Sequence, residues 1–135
     1  MRLVIAVSWG KAMSDVHTAV LVVEDEMLVR MDIVDELISA GFEVLEAGDA
    51  DEAIAVLNDN PRIRAIFTDI DMPGRMDGLK LAALVRDRWP PVKIIVTSGH
   101  RQVGEGMLPD AGRFIPKPYN PGVVIASIRE MVAAG

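Results

Sequence analysis

Ala19-Val-Leu-Val-Val23 is an unbroken run of β-prone apolar residues, and Ala65-Ile-Phe-Thr68 and Ile94-Ile-Val96 repeat the pattern further along. A strand with one wet face alternates apolar and polar side chains. A run without alternation has no wet face and needs cover on both sides. Each run also ends abruptly in polar residues: Glu24-Asp25, then Asp69 with Asp71 close behind, then Thr97-Ser98. Met72-Pro73-Gly74 stops any strand after the second of these. In an open sheet covered by helices, ligands bind at the carboxyl ends of the strands. The sequence therefore predicts that Asp69 is carried to a site rather than into the core.

The intervening segments read as helices. Met27, Met31, Val34 and Ile38 form the expected inner stripe of a helix over 28–40, with Gly41 as its C-terminal stop. Phe42-Glu-Val-Leu-Glu46 is a short strand. Asp49, with Glu52 three residues on, opens a helix with Ala53, Ile54 and Leu57 inward, and Asn60-Pro61 ends it. Asp77 caps a helix over about 78–88 with Leu81, Leu84 and Val85 inward, closed by Trp89-Pro90-Pro91. A weak fourth helix is expected over 100–108, because Gly104 and Gly106 each cost about 1 kcal/mol relative to Ala. Arg113-Phe-Ile-Pro116 is the last strand, and Pro116 removes one N–H from it. Asn120-Pro121 opens the final helix, with Val124, Ile128 and Met131 inward. Strand and helix alternate five times, which points to an α/β fold of parallel strands joined by right-handed crossovers.

A chain of 135 residues suits one domain. The absence of cysteine excludes a disulfide framework and thiolate metal sites, and suits a reducing, cytoplasmic compartment. A net charge of -6 with scattered arginines argues against direct nucleic-acid binding, which needs massed cations. No apolar run approaches a membrane span. Residues 1–17 read as an N-terminal extension; they faintly resemble a signal peptide but lack a clean cleavage site. With no output domain expected after Gly135, the chain is expected to act as a stand-alone module through an unidentified downstream protein. His17 and His100 read as ordinary exposed residues.

If the strands are parallel, their ends gather Glu24, Asp25, Asp69, Thr97 and Lys117 at one edge of the sheet. Three carboxylates together repel unless a cation neutralises them or one is protonated. An all-oxygen set favours a hard cation, Mg2+ first. Asp25 and Asp69 are assigned as direct ligands, Glu24 as an outer ligand through water, and the Asp71 main-chain carbonyl as a further oxygen. A carboxylate beside Mg2+ and a lysine is set up to attack phosphorus, with catalysis supplied by positioning and charge cancellation. On this reading Asp69 becomes an acyl phosphate, while Lys117 and the Thr97 hydroxyl contact phosphoryl oxygens.

Val22-Val-Glu-Asp-Glu26, Asp69-Ile-Asp-Met-Pro-Gly74, Met76-Asp-Gly78, Val96-Thr-Ser98 and Phe114-Ile-Pro-Lys-Pro118 occur in this order and spacing. Together they resemble the receiver domains of two-component response regulators, over about residues 18–133. The resemblance implies a receiver domain over 18–135 with the flavodoxin-like, doubly wound (βα)5 fold, strand order 2-1-3-4-5 and helices on both faces. It implies that Asp69 receives a phosphoryl group from a sensor histidine kinase or a histidine phosphotransfer protein, with Mg2+ as cofactor. It implies phosphate contacts from Thr97 and Lys117, a switch made of Thr97 and Phe114, and a cis peptide before Pro118. The predicted fourth helix, last strand and last helix would then form the switched surface. Glu24 stands where Asp is commoner in the family.

Two rivals come from other classes. Asp69-Ile-Asp71 resembles the Asp-x-Asp of haloacid-dehalogenase-type phosphatases, but it lies on the third strand rather than the first. A receiver-like module that binds partners without phosphorylation would not need the full set of pocket residues.

Overall fold

The computed structural model describes residues 18–100, 103, 107–109 and 111–134. The elements run β1 (Ala19–Val23), α1 (Met27–Ser39), β2 (Glu43–Ala47), α2 (Ala50–Asp59), β3 (Ile63–Asp69), α3 (Gly78–Arg88), β4 (Lys93–Ser98), β5 (Arg113–Pro116) and α4 (Pro121–Ala134). The five strands form one parallel sheet in the order β2-β1-β3-β4-β5. The helix expected over 100–108, and with it part of the expected switch surface, falls largely outside the described residues.

Both faces of the sheet are covered, as the unbroken apolar runs require. On one face Val20, Val22, Ala65, Phe67, Ile95 and Ile115 pack with Ile33, Val34 and Leu37 of α1 and Val124, Ile128 and Met131 of α4. On the other, Leu21, Ile66, Ile94 and Val96 pack with Ala53 and Leu57 of α2 and Leu81 and Val85 of α3. Each large buried aliphatic side chain contributes about 1.5–3 kcal/mol. An exposed ion pair such as Arg62–Glu43 contributes about 0–1 kcal/mol. Burial on the two faces therefore sets the fold, and surface charge does not.

The helix ends follow local chemistry. The Asp49 side chain accepts from the Glu52 N–H at 2.8 Å and the Asp77 side chain from the Lys80 N–H at 3.0 Å. Asn120 accepts from the Gly122 N–H at 2.7 Å at the start of α4. Gly41, at φ 103, takes the left-handed turn after α1 that a side chain would resist. Glu52 departs from a reciprocal capping box: its carboxylate accepts from the Gly48 N–H rather than from that of Asp49.

The expected inner stripe of α1 is corrected. Val34 is buried as expected, but Met27, Met31 and Ile38 are 62%, 50% and 49% exposed, and the helix buries Ile33 and Leu37 beside Val34 instead. Two apolar stripes share this helix, both at helical spacing. The one that faces Val20 and Val22 is buried; the other is left to solvent along with Leu28.

Candidate phosphoacceptor and cation site

Alternation along each strand decides what its last residue faces. Val22 in β1, Phe67 in β3, Ile95 in β4 and Ile115 in β5 all point to the α1/α4 face. Two residues further on stand Glu24, Asp69, Thr97 and Lys117, which return to that same face. The register aligns them: Val23 lies opposite Thr68, and Asp69 opposite Thr97. The apolar row is thus followed, across four adjacent strands, by a polar row.

Within that row Lys117 is the hub. Its Nζ donates to Glu24 Oε1 at 3.0 Å and to Asp69 Oδ2 at 2.9 Å. Glu24 and Asp69 are buried, at 3% and 4% exposure, while Asp25 is exposed. The remaining oxygens are also held. Glu24 Oε2 accepts from the Glu26 N–H at 3.0 Å, and Asp69 Oδ1 accepts from the Asp71 N–H at 3.1 Å. Burial raises the Glu24 carboxyl above the usual range, against the opposing pull of the Glu26 N–H and Lys117. Burial pulls the Lys117 ammonium down, but hydrogen bonds and charge from Asp69 and Glu24 more than offset it, leaving it above its ordinary value. Lys117 thus moves as an ion pair demands. Glu24 does not, because desolvation outweighs its partners.

One oxygen each from Glu24, Asp25 and Asp69 lies within 4.8 Å of the others. Oxygens around an octahedral Mg2+ at about 2.1 Å stand about 3 Å apart when adjacent and about 4.2 Å apart when opposite. The spacing and the all-oxygen chemistry fit such an ion. The charge balance fits as well: three carboxylates face one lysine, an excess of two negative charges that a divalent cation would cancel. Thr97 Oγ1 is buried and has no hydrogen-bond partner among the described residues. A buried hydroxyl left so costs about 1–3 kcal/mol, and an anion in the pocket would satisfy it.

The remaining expected residues fall nearby. The Lys117–Pro118 peptide is cis. Phe114 is half-buried in β5, opposite Val96, and packs toward the α2/α3 face. β5 keeps its pairing beyond Pro116, since the Lys117 N–H donates to the Ser98 carbonyl at 3.0 Å. A groove of about 550 Å³ opens beside Lys117, lined by Glu26, Val29, Asp32, Glu36 and Tyr119 among others. The Tyr119 ring meets Phe67 edge-on at 5.3 Å.

Three contributors were given no role from the sequence, although Ser98 and Gly78 stand inside the receiver-like segments. Arg30 Nη1 donates to the Glu24 carbonyl at 2.7 Å and its Nε to Glu46 at 3.0 Å, buttressing the end of β1. Ser98 Oγ donates to Asp71 Oδ2 at 2.5 Å, tying the exits of β4 and β3 together. Gly78 lets α3 start directly against the acceptor strand: a Cβ there would lie 2.1 Å from the Asp69 carbonyl oxygen and 2.7 Å from Ile70 Cα.

Residues 20–129 match the family model described as the response regulator receiver domain. The chain belongs to that family. This receiver is 36% identical over 126 residues to the hydrogenase transcriptional regulatory protein HoxA of Cupriavidus necator, covering 90% of this chain and 26% of that protein. It is 33% identical over 117 residues to the sensor kinase CckA of Brucella abortus, covering 84% and 12% respectively. The receiver thus spans about a quarter or less of these relatives. Among solved structures, a response regulator receiver protein from Sinorhizobium medicae superposes with a TM-score of 0.79 at 26% identity, over 87% of this chain and 96% of that one. The chain is accordingly the receiver domain of a two-component response regulator, a signalling domain rather than a classical enzyme. Among the described residues, no helix is long and apolar enough to cross a membrane.

Proposed function

We propose that Asp69 accepts a phosphoryl group from a phosphohistidine on a sensor histidine kinase or a histidine phosphotransfer protein, in a Mg2+-dependent reaction. The observation that carries this reading is the Lys117 ammonium bridging Asp69 and Glu24 beside an oxygen cluster of cation-binding size. In the transfer, an Asp69 carboxylate oxygen forms a bond to phosphorus as the phosphorus–nitrogen bond to the donor imidazole breaks. The imidazole leaves neutral once it takes a proton. Lys117 Nζ, already within 2.9 Å of Asp69, follows the phosphoryl oxygens and stabilises the charge that develops on them. The Thr97 hydroxyl, without a partner among the described residues, donates to another of those oxygens. Glu24, Asp25, Asp69 and the Asp71 main-chain carbonyl would hold the Mg2+, which supplies neutralising charge to the phosphoryl group.

The output follows from the same contacts. Drawing Thr97 toward the phosphoryl group frees space beside β4, and Phe114 on β5 turns inward to fill it. That shift of a pre-existing equilibrium changes the surface offered to a downstream protein. The test is incubation of the chain with a small phosphodonor and Mg2+, read by intact mass. Wild type gains one phosphoryl group and Asp69→Asn gains none. A gain by Asp69→Asn, or none by wild type with Mg2+ bound, overturns the assignment.

A further inference from the structure

We propose that Ser98 is a positioning residue of this pocket, whose hydroxyl holds the Asp71 carboxylate away from the oxygens of Glu24, Asp25 and Asp69. The inference deepens the function proposed above and rests on its cation site. Asp71 is placed to intrude: its N–H donates to Asp69 Oδ1 at 3.1 Å, so its backbone abuts the acceptor. Yet among the described residues its carboxylate is not a member of the acidic cluster. The side chain instead turns to the exit of β4, where Ser98 Oγ donates to Oδ2 at 2.5 Å. Ser98 is itself fixed. It is 2% exposed, its Oγ accepts from the His100 N–H at 3.1 Å, and alternation sends it to the opposite face from Thr97.

The consequence is electrostatic. A carboxylate that swings to within about 6 Å of a divalent cation in a solvent-like dielectric strengthens cation binding by about tenfold at most. The same charge repels an incoming anionic phosphodonor. Ser98 thus trades cation affinity for phosphoryl access.

The test is a calorimetric Mg2+ titration of the full chain, made on wild type, Ser98→Ala, Asp71→Asn and the double variant. Ser98→Ala binds Mg2+ about three- to tenfold tighter than wild type, and Ser98→Thr, which keeps the hydroxyl, restores the wild-type value. In the Asp71→Asn background the Ser98→Ala shift disappears. Asp71→Asn alone, which keeps the main-chain carbonyl and N–H and loses a carboxylate already held aside, weakens Mg2+ binding by about two- to threefold at most; this arm stands whether or not Ser98→Ala folds. At saturating Mg2+, Ser98→Ala takes phosphate from a small phosphodonor several-fold more slowly. Unchanged affinity in Ser98→Ala, a shift that survives in Asp71→Asn, or a large loss in Asp71→Asn alone overturns the inference while leaving the phosphoacceptor reading intact. A wild-type chain that binds no Mg2+ overturns both.

Discussion

Two rows of side chains on the α1/α4 face differ by only two residues along the same four strands. Val22, Phe67, Ile95 and Ile115 form the inner row; Glu24, Asp69, Thr97 and Lys117 form the outer one. Backbone, register and face are shared, so side-chain chemistry alone separates them. The inner row is dry and stabilises the fold through transfer of apolar surface from water. The outer row is nearly as buried, yet it holds two desolvated carboxylates on one ammonium and a hydroxyl without a partner among the described residues. The comparison teaches that the sheet's stability is made one layer below the site. The outer row can therefore carry unfavourable electrostatics that chemistry later relieves.

Substitutions can break that division or sharpen it. The largest expected effect is functional: Asp69→Asn abolishes phosphoryl gain by intact mass, while its urea midpoint in chelator stays at or above that of wild type, because a repelling charge is gone. Phe67→Ala, one layer down, does the reverse. It costs about 3–5 kcal/mol in urea unfolding through the cavity it leaves and its lost contact with Tyr119. A loss below about 1 kcal/mol would break the division. Lys117→Ala leaves Glu24 and Asp69 buried without their cation and costs about 1–3 kcal/mol. Saturating Mg2+ recovers part of that loss, and thermal melts with and without the ion measure the fraction.

The smallest effect concerns pH. Glu24 titrates above its ordinary 4.5 in the folded chain. Its contribution to stability is therefore fully present below that value and is lost as pH rises through the raised folded value. Glu24→Gln does not titrate. Measured in chelator, its stability relative to wild type should climb between acid and neutral pH; a flat or falling difference would show that burial does not dominate at Glu24.

The fold was legible where the cause is short-range. The unbroken runs of β1, β3 and β4 announced a doubly covered sheet, and Asp49, Asp77 and Asn120 marked helix starts because caps act within three residues. Strand order was not legible from periodicity and came only with the resemblance to receivers. The α1 stripe misled because Met27, Met31 and Ile38 keep helical spacing as faithfully as Ile33, Val34 and Leu37. Which stripe is buried depends on how the helix lies across the sheet, a tertiary fact. In the pocket, charged residues at strand ends could be read, although Lys117 and Glu24 stand 93 residues apart. The roles of Arg30 and Ser98 could not, since they rest on side-chain hydrogen bonds that no spacing rule foretells.

Gly78 has a mechanical consequence. The Met72 and Gly78 N–H groups both donate to the Ile70 carbonyl, at 3.1 and 2.9 Å, so the loop after the acceptor closes on its own neck. With no Cβ between them, the end of β3 and the first turn of α3 are in direct backbone contact. There is no slack at that joint. Any side chain at position 78 would force the first turn of α3 off the end of β3. The distance between acceptor strand and helix is thus set by a missing methyl group.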